Sequence, residues 1–223
     1  MTGKPIFLSL LLCGFAIFGC SIKASPPLDA SLGMEAFERM GTIDQRNIAL
    51  ALFLDPKLRD LTVEQSIKIG DFTFDVGKAF SAKLIKALAY NFKTIHLITT
   101  PSYHGDIPVN AIMRVALQDV DVNMGVKAGF ATVGTQAYSR IAIRADILDP
   151  KENKTVWVGT SQAKAEGSHE DVGQMSYQEA GRGFAGTIGD AIDRAIGDLL
   201  AQMSKSESLR TYLIKWEREN HDQ

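Results

Sequence analysis

The stretch 137-AYSRIAIRADIL-148 decides the fold class. In most of this stretch apolar side chains occupy every second position, and Arg140, Arg144 and Asp146 stand between them. Successive side chains of a β-strand point to opposite faces of a sheet, so the alternation predicts a strand with one buried side and one solvent-facing side. The two arginines are therefore expected on an exposed sheet surface.

Further strands are predicted on both sides of this one. The turn residues Asp149-Pro150 lead into a strand from Thr155 to about Ala165, with the spacing of a hairpin. Upstream, a strand is predicted from Ala111 to about Met124. Its apolar residues stand at odd-numbered positions before Gln118 and at even-numbered positions after it. In a regular strand this shift would put the second group of apolar side chains on the opposite face. One extra residue would keep both groups on the same face, so we expect a β-bulge near Gln118 or Asp119.

Two segments have the period of a helix. Between Gly77 and Lys93 apolar side chains recur every four residues, which predicts a helix with three lysines away from its apolar stripe. A longer stripe from Phe184 to Met203 predicts a closing helix, and a further amphipathic helix is predicted from Glu207 to Asn220. The three lysines are Lys78, Lys83 and Lys86, and the last helix carries Leu209, Tyr212, Leu213 and Trp216.

The remaining apolar runs are short enough for strands, which we predict at 47–54, 67–76 and 94–100. A helix between early strands, followed by three strands and a closing helix, predicts an α+β fold. We expect a mostly antiparallel sheet with helices packed on one face. The predicted organisation is a single domain over residues 47–204, followed by a C-terminal amphipathic helix or tail over 205–223.

The chain begins like an exported protein. After Lys4 an apolar run extends from Ile6 to Phe18, about 13 residues, whereas a membrane-spanning helix needs roughly 20. The run ends in Ile17-Phe18-Gly19-Cys20, which is similar to the lipobox of bacterial lipoproteins. We therefore expect a signal peptide at 1–19, cleavage before Cys20 and a lipid on its sulfur. The alternatives are a buried apolar helix and cleavage before Cys13.

The cysteine count agrees with this interpretation. The sequence holds only Cys13 and Cys20, so removal of residues 1–19 leaves one thiol and no disulfide within the mature chain. Ser21 follows the cysteine, and a residue other than aspartate there predicts sorting to the outer membrane by the rule of enteric bacteria. Residues 20–46, with Pro26 and Pro27, are expected to form a flexible tether.

Composition and motifs argue against several ligand classes. The 24 basic residues do not exceed the 26 acidic ones, so nothing favours nucleic acid as a partner. The pattern G-x-G-x-x-G at 181–186 lacks the preceding strand of a dinucleotide site, so we expect no nucleotide. Instead, Gly186, Gly189 and Gly197 are expected to let the closing helix approach a neighbouring element closely.

No catalytic, cofactor or metal residues are predicted. The four histidines lack metal-ligand spacing, and His169 with its acidic neighbours is expected to form a solvated loop, although an ion site there is an alternative. Asp119 and Asp121 share one face of a strand and are the one carboxylate pair that would suit acid–base chemistry. We expect them to be solvated side chains.

As a whole, residues 17–217 resemble the YajG-type family of small outer-membrane lipoproteins. The resemblance rests on the lipobox at 17–20, the helical segment 75–92, the strand 140–148 with its hairpin partner, and the closing helix with a tail around 209–216. Apart from the lipobox these features are matches of order and pattern. The family provides no catalytic residues to assign, so the resemblance implies a protein that is not an enzyme.

The resulting hypothesis is a membrane-anchored, non-enzymatic accessory or assembly factor for an envelope protein complex. Its candidate interaction residues are Arg140 and Arg144 on the hairpin and Tyr212 and Trp216 on the tail, although Trp216 is equally expected to pack on its own domain. The alternative is a binding module for lipid, sugar or peptidoglycan fragments, which an apolar cavity between helix 78–92 and the sheet would favour. A hydrolase acting through Asp119 and Asp121 is a third class.

Overall fold

The computed structural model describes residues 23–40, 45–128, 132–172 and 175–221. The predicted signal peptide and Cys20 lie outside the described residues. The elements in chain order are β1 (Lys23–Ala24), α1 (Met34–Met40), β2 (Arg46–Leu54), α2 (Pro56–Arg59), β3 (Val63–Ile67), β4 (Gly70–Phe74), α3 (Val76–Ala89), β5 (Phe92–Ile98), β6 (Ala111–Ala128), β7 (Thr132–Asp149), β8 (Lys154–Val172), α4 (Tyr177–Lys205) and α5 (Glu207–His221). The predicted α+β class is confirmed.

The larger sheet has five strands in the order β5-β2-β6-β7-β8. β6, β7 and β8 form the predicted antiparallel meander. β2 instead pairs in parallel with both of its neighbours, so the sheet is mixed rather than purely antiparallel. For β5 the cause is α3, which returns the chain to the same end of the sheet, and residues 99–110 do the same between β5 and β6, as parallel pairs require.

The predicted bulge in β6 is confirmed. In the pairing of β6 with β7, Leu117 lies opposite Ile143 but Asp119 lies opposite Ala142, so Gln118 is the extra residue. The extra residue turns the second half of β6 over. As a result Val122 is buried on the same side of the sheet as Val115, although one is at an even and the other at an odd position of the chain.

The single strand predicted at 67–76 is wrong, because two strands and a turn occupy this region. β3 and β4 form an antiparallel hairpin that turns at Lys68 and Ile69, and Gly70 has a φ of 148°, where glycine is favoured. The apolar residues on the two sides of the turn lie so close in sequence that they resemble one strand. β4 also pairs with β1, which completes a three-stranded sheet in the order β1-β4-β3.

The three long helices pack on one face of the five-stranded sheet. α3 matches its prediction, and its stripe at Phe80, Leu84 and Leu88 is fully buried. α4 begins at Tyr177, earlier than its apolar stripe suggested, because Ser176 and Glu179 form a reciprocal capping box. The core joins these helices to the inward side chains of the strands in one continuous cluster.

The flexible tether predicted at 20–46 is wrong for residues 23–40. β1 pairs with β4, and α1 packs on the outer side of α4 with Ala36 and Met40 buried. The reason is that α4 is apolar around most of its circumference between Ala191 and Leu200, so one side lies on the sheet and the other needs a second cover.

The glycines of α4 have different roles. A Cβ at Gly197 would lie 3.0 Å from the Arg39 Cβ and 3.2 Å from the Ala36 Cα, which confirms close packing there. For Gly186 and Gly189 the prediction is wrong, because a Cβ at either would meet nothing within 4 Å. Of these three glycines, only Gly197 needs the close approach, where α1 crosses the helix.

The outer edge of β8 is covered by side chains of the helices. Arg194 Nη1 and Gln202 Nε2 each donate a hydrogen bond of 2.7 Å, to the carbonyl oxygens of Lys164 and Thr160 respectively. Ser208 Oγ donates to the Val156 carbonyl at 3.3 Å. Carbonyls at every fourth residue of this edge strand are thus bonded within the domain.

Candidate functional site

The face of the five-stranded sheet opposite the helices has no helical layer in the described structure. Along β8 burial alternates, with Trp157, Gly159, Ser161, Ala163 and Ala165 buried and the even-numbered residues from 158 to 166 exposed. We call the side chains of β6, β7 and β8 that point away from the helices the open face. Its charged members are Arg114, Asp119, Asp121, Arg140, Arg144, Asp146, Lys164 and Glu166.

The structure brings Arg140 together with Asp119 and Asp121. Arg140 Nη2 lies 2.6 Å from an Asp119 carboxylate oxygen and 4.0 Å from one of Asp121. The two carboxylates are about half exposed and share a guanidinium on a strand surface. Catalysis by a carboxylate pair needs both groups to face a substrate in a cleft, so this arrangement gives the hydrolase hypothesis no support.

Arg144 differs from the other two arginines of the open face. Arg114 donates from both Nε and Nη2 to Asp146 Oδ2, at 2.8 and 2.5 Å. Arg144 lies between Ala116 and Thr160 in the strand register and is exposed. It makes no ion pair or hydrogen bond with any residue that the structure describes. A guanidinium offers five donors in a fixed plane, so Arg144 is available to an external carboxylate or carbonyl group.

One corner of this sheet side is apolar. Ala51, Ile112 and Leu148 form a small buried cluster there, and Tyr103 and Val109 from the loop after β5 pack against it. Ile107, in the same loop, is 54% exposed. The sheet side away from the helices therefore combines a charged centre with an apolar corner.

The tail residues predicted to contact a partner are buried in their own domain. Tyr212 and Trp216 are 8% and 6% exposed, and Tyr212 Oη donates a 2.5 Å hydrogen bond to the Asn110 carbonyl. The Lys151 ammonium lies 3.9 Å from the centre of a Trp216 ring. Of the two expectations for Trp216, packing on its own domain is confirmed, and an exposed anchor at Tyr212 and Trp216 is wrong. α5 is a packed part of the domain and not a separate tail.

One lysine predicted to lie away from the core is buried. Lys83 Nζ lies 2.9 and 2.8 Å from the two carboxylate oxygens of Asp193, and this pair joins α3 to α4. Both residues are at most 5% exposed. Gly33 covers the pair, because a Cβ there would lie 2.5 Å from Asp193 Oδ2. The helical period predicts Lys83 away from the apolar stripe, and it gives no sign of α4 and of the segment at Gly33 that enclose this side chain.

A charged network fastens α1 to α4. Glu35 accepts hydrogen bonds from Arg39 and Arg194 at 2.8 and 3.0 Å, and Arg39 also pairs with Asp198. Partial burial works to raise the pKa of Glu35, but the hydrogen bonds and charges of Arg194 and Arg39 outweigh it and lower the pKa. The carboxylate is therefore favoured in the folded state.

The space between α3 and the sheet is filled. Phe80, Leu84 and Leu88 of α3 and the facing Leu50 and Leu52 of β2 are all fully buried in one cluster. The apolar cavity that would favour a ligand-binding module between these two elements is therefore not supported.

Other predicted sites are only partly described. The solvated loop predicted around His169 is wrong, because residues 166–171 belong to β8. The side chains of His169, Glu170 and Asp171 lie outside the described residues, as Cys20 does. Within the described part of the chain, no three His, Cys, Asp or Glu residues are close enough to hold a metal ion. No helix in that part is long and apolar enough to cross a bilayer.

The chain matches no protein-family model and no curated protein. Among solved structures, a DUF330 protein of Xanthomonas campestris is 8% identical, with 84% of this chain and 99% of that chain covered and a TM-score of 0.48. A minor lipoprotein of Acinetobacter baumannii is 10% identical, with coverages of 71% and 95% and a TM-score of 0.36. The rare lipoprotein B of Shewanella oneidensis is 10% identical, with coverages of 71% and 96% and a TM-score of 0.38. At these scores the YajG-type resemblance stays a prediction.

Proposed function

We propose that this protein is a bacterial envelope lipoprotein, anchored by a lipid on Cys20 to the periplasmic side of the outer membrane. Its domain acts as a non-enzymatic accessory or assembly factor for an envelope protein complex. The anchor is supported by the sequence Ile17-Phe18-Gly19-Cys20 after a short apolar run and by the absence of any other cysteine after residue 20.

The open face is the observation that carries the accessory role. Arg144 lies at its centre and has no partner among the described residues, whereas Arg114 is paired with Asp146 and Arg140 with Asp119. Arginine is enriched at protein interfaces because its planar group makes several directed hydrogen bonds. A protein partner with an acidic or carbonyl-rich surface fits this arrangement.

The ligand-module alternative has weaker support. It requires an enclosed apolar space, and the interface between α3 and the sheet is occupied by side chains of the core. A flat surface of alternating charges is better suited to another protein surface than to a small lipid or sugar fragment.

The anchor is tested by Cys20→Ser in the producing bacterium. This variant should lose incorporation of labelled fatty acid and accumulate with its signal segment, whereas Cys13→Ser should be processed normally. Normal processing and labelling of Cys20→Ser would contradict the anchor assignment.

The partner surface is tested by a photo-crosslinking residue placed at Arg144 or at Gln162, both exposed on the open face. The matched control position is Arg210, exposed on α5 on the helical side. Specific adducts are expected from the first two positions and not from the third. A partner captured equally from Arg210, or none captured from the open face, would contradict the proposal.

A further inference from the structure

The chain after Cys20 is docked almost immediately. β1 pairs with β4 at Lys23 and Ala24, only three residues beyond Cys20. An extended residue spans at most about 3.5 Å, so the Cα atoms of Cys20 and Lys23 are at most about 11 Å apart. A free tether reaching residue 46 would instead have allowed about 90 Å. A lipid on Cys20 therefore holds the domain close to the bilayer surface.

The segment between β1 and α1 is also held against the domain by contacts along its length. Lys86 Nζ donates a 2.8 Å hydrogen bond to the Ala30 carbonyl, and Gly33 packs against Asp193. Pro26 lies against Gly181, where a Cβ would come within 2.7 Å of the proline ring. The position at which the chain leaves the domain toward Cys20 is thus fixed at β1.

The direction in which the chain leaves is set by the pairing of β1. Because β1 runs parallel to β4 with Lys23 opposite Asp71, the first described residue lies next to the start of β4, which is Gly70 and the β3–β4 turn. This turn places exposed Lys68 between half-buried Ile67 and Ile69. A lysine on a long apolar stem between isoleucines suits the boundary between headgroups and acyl chains.

The opposite end of the domain is far from this turn. Tyr177, at the start of α4, donates a hydrogen bond to the Asp71 carbonyl and stacks on Phe72. From there α4 extends for 29 residues, about 43 Å, along β8. Its far end lies beside the β7–β8 turn, since Ser208 bonds to the Val156 carbonyl.

We propose that the β3–β4 turn at residues 67–70, together with Lys23, is the membrane-facing surface of the domain and rests against phospholipid headgroups. The inference rests on the lipid anchor proposed above. It holds the β7–β8 turn and the start of β8 away from the bilayer. Asp71 lies opposite Lys23 in the register, so the contact depends on the short connection to the anchor more than on net positive charge.

The test compares two lysines at opposite ends. Lys68→Cys and Lys154→Cys, both at exposed positions, are made in the full chain, purified from membranes with the lipid attached, and labelled with a fluorophore. The sulfur of a lipidated Cys20 does not react, so each protein carries one label. In phosphatidylcholine–phosphatidylglycerol vesicles with a spin label on the headgroups, we expect loss of most fluorescence at position 68 and almost none at 154. Equal quenching at both positions would overturn the inference.

A second variant separates the short connection from the anchor. A flexible Gly/Ser linker of about 20 residues inserted before Lys23 keeps the lipid but lets the domain move away. Quenching at position 68 should then fall toward that at position 154, and unchanged quenching would overturn the inference. Mass spectrometry of each preparation tests the anchor separately from the placement of the turn. A mature chain without lipid on Cys20 would contradict the proposed anchor and not the placement of the turn.

Discussion

Ion pairs lie on both sides of the five-stranded sheet but in different surroundings. On the helical side, Lys83 and Asp193 are paired at 2.8 Å with their side chains 3% and 8% exposed. On the open face, Arg140 and Asp119 are paired at 2.6 Å with side chains 30% and 50% exposed. The distances are similar, but water can replace a lost partner only on the open face. The helical side therefore fixes the fold, whereas the open face can exchange partners.

The largest effect that this comparison predicts is at Lys83. Replacing it by methionine leaves the Asp193 carboxylate buried without its cation, which should lower the free energy of unfolding by about 3–5 kcal/mol. Urea denaturation followed by circular dichroism measures the loss.

The matched control is the double variant Lys83→Met with Asp193→Leu, which removes both charges. It should regain most of the lost stability, because a well-packed apolar pair substitutes for a buried ion pair. If the double variant is as unstable as the single one, the unpaired charge is not the cause.

The next effect concerns the two sides of α4. Gly197→Ala forces a methyl group against Arg39 and the Ala36 backbone and should destabilise the domain by about 1–2 kcal/mol. Gly186→Ala meets open space and should stabilise it by up to about 1 kcal/mol, because alanine favours the helix. Thermal unfolding should therefore shift in opposite directions, and a higher Tm in both variants would show that α1 does not cover Gly197.

A smaller effect is expected where α1 meets α4, and it depends on pH. The pKa of Glu35 is lowered in the folded state, so its contribution is present above the ordinary glutamate pKa of about 4.3 and is lost as the pH falls through the lower folded value. Glu35→Gln should make stability less dependent on pH between about 5 and 3 than in the unmodified chain. Identical pH profiles by urea denaturation would contradict the network.

The smallest effects are expected on the open face. Arg140→Ala removes an exposed ion pair and should cost about 0.2–1 kcal/mol, whereas Arg144→Ala should change stability by no more than about 0.5 kcal/mol. Arg144→Ala should nevertheless weaken crosslinking from Gln162. If Arg144→Ala destabilises as strongly as Lys83→Met, the two sides of the sheet do not differ as described.

Local patterns were enough to predict much of this fold. The period of four in α3 and the alternation in β7 arise because one side of each element faces the core. The shift of the apolar residues from odd to even positions at Gln118 predicts the bulge. The candidate surface at Arg140 and Arg144 followed from the same alternation. Each of these features is determined within about a dozen residues of sequence.

The errors concern contacts between distant segments. Nothing near residues 23–40 indicates that α4 needs a second cover, and nothing near Lys83 shows that Asp193 and Gly33 will enclose it. The sequence around Trp216 suits a surface residue as well as a core residue, and only the packing of α5 on the domain determines that it is buried. The parallel pairing of β2 likewise depends on the path of the chain through α3, which no local period encodes.

The covered edge of β8 has a consequence for crowding. The lipid anchor proposed above would hold copies of the protein on a two-dimensional surface, where they meet side by side far more often than in free solution. An unprotected edge strand is a template for strand addition and aggregation. With the carbonyls of Val156, Thr160 and Lys164 already bonded by helix side chains, this edge resists the addition of a strand from a neighbouring copy, even where copies are crowded together.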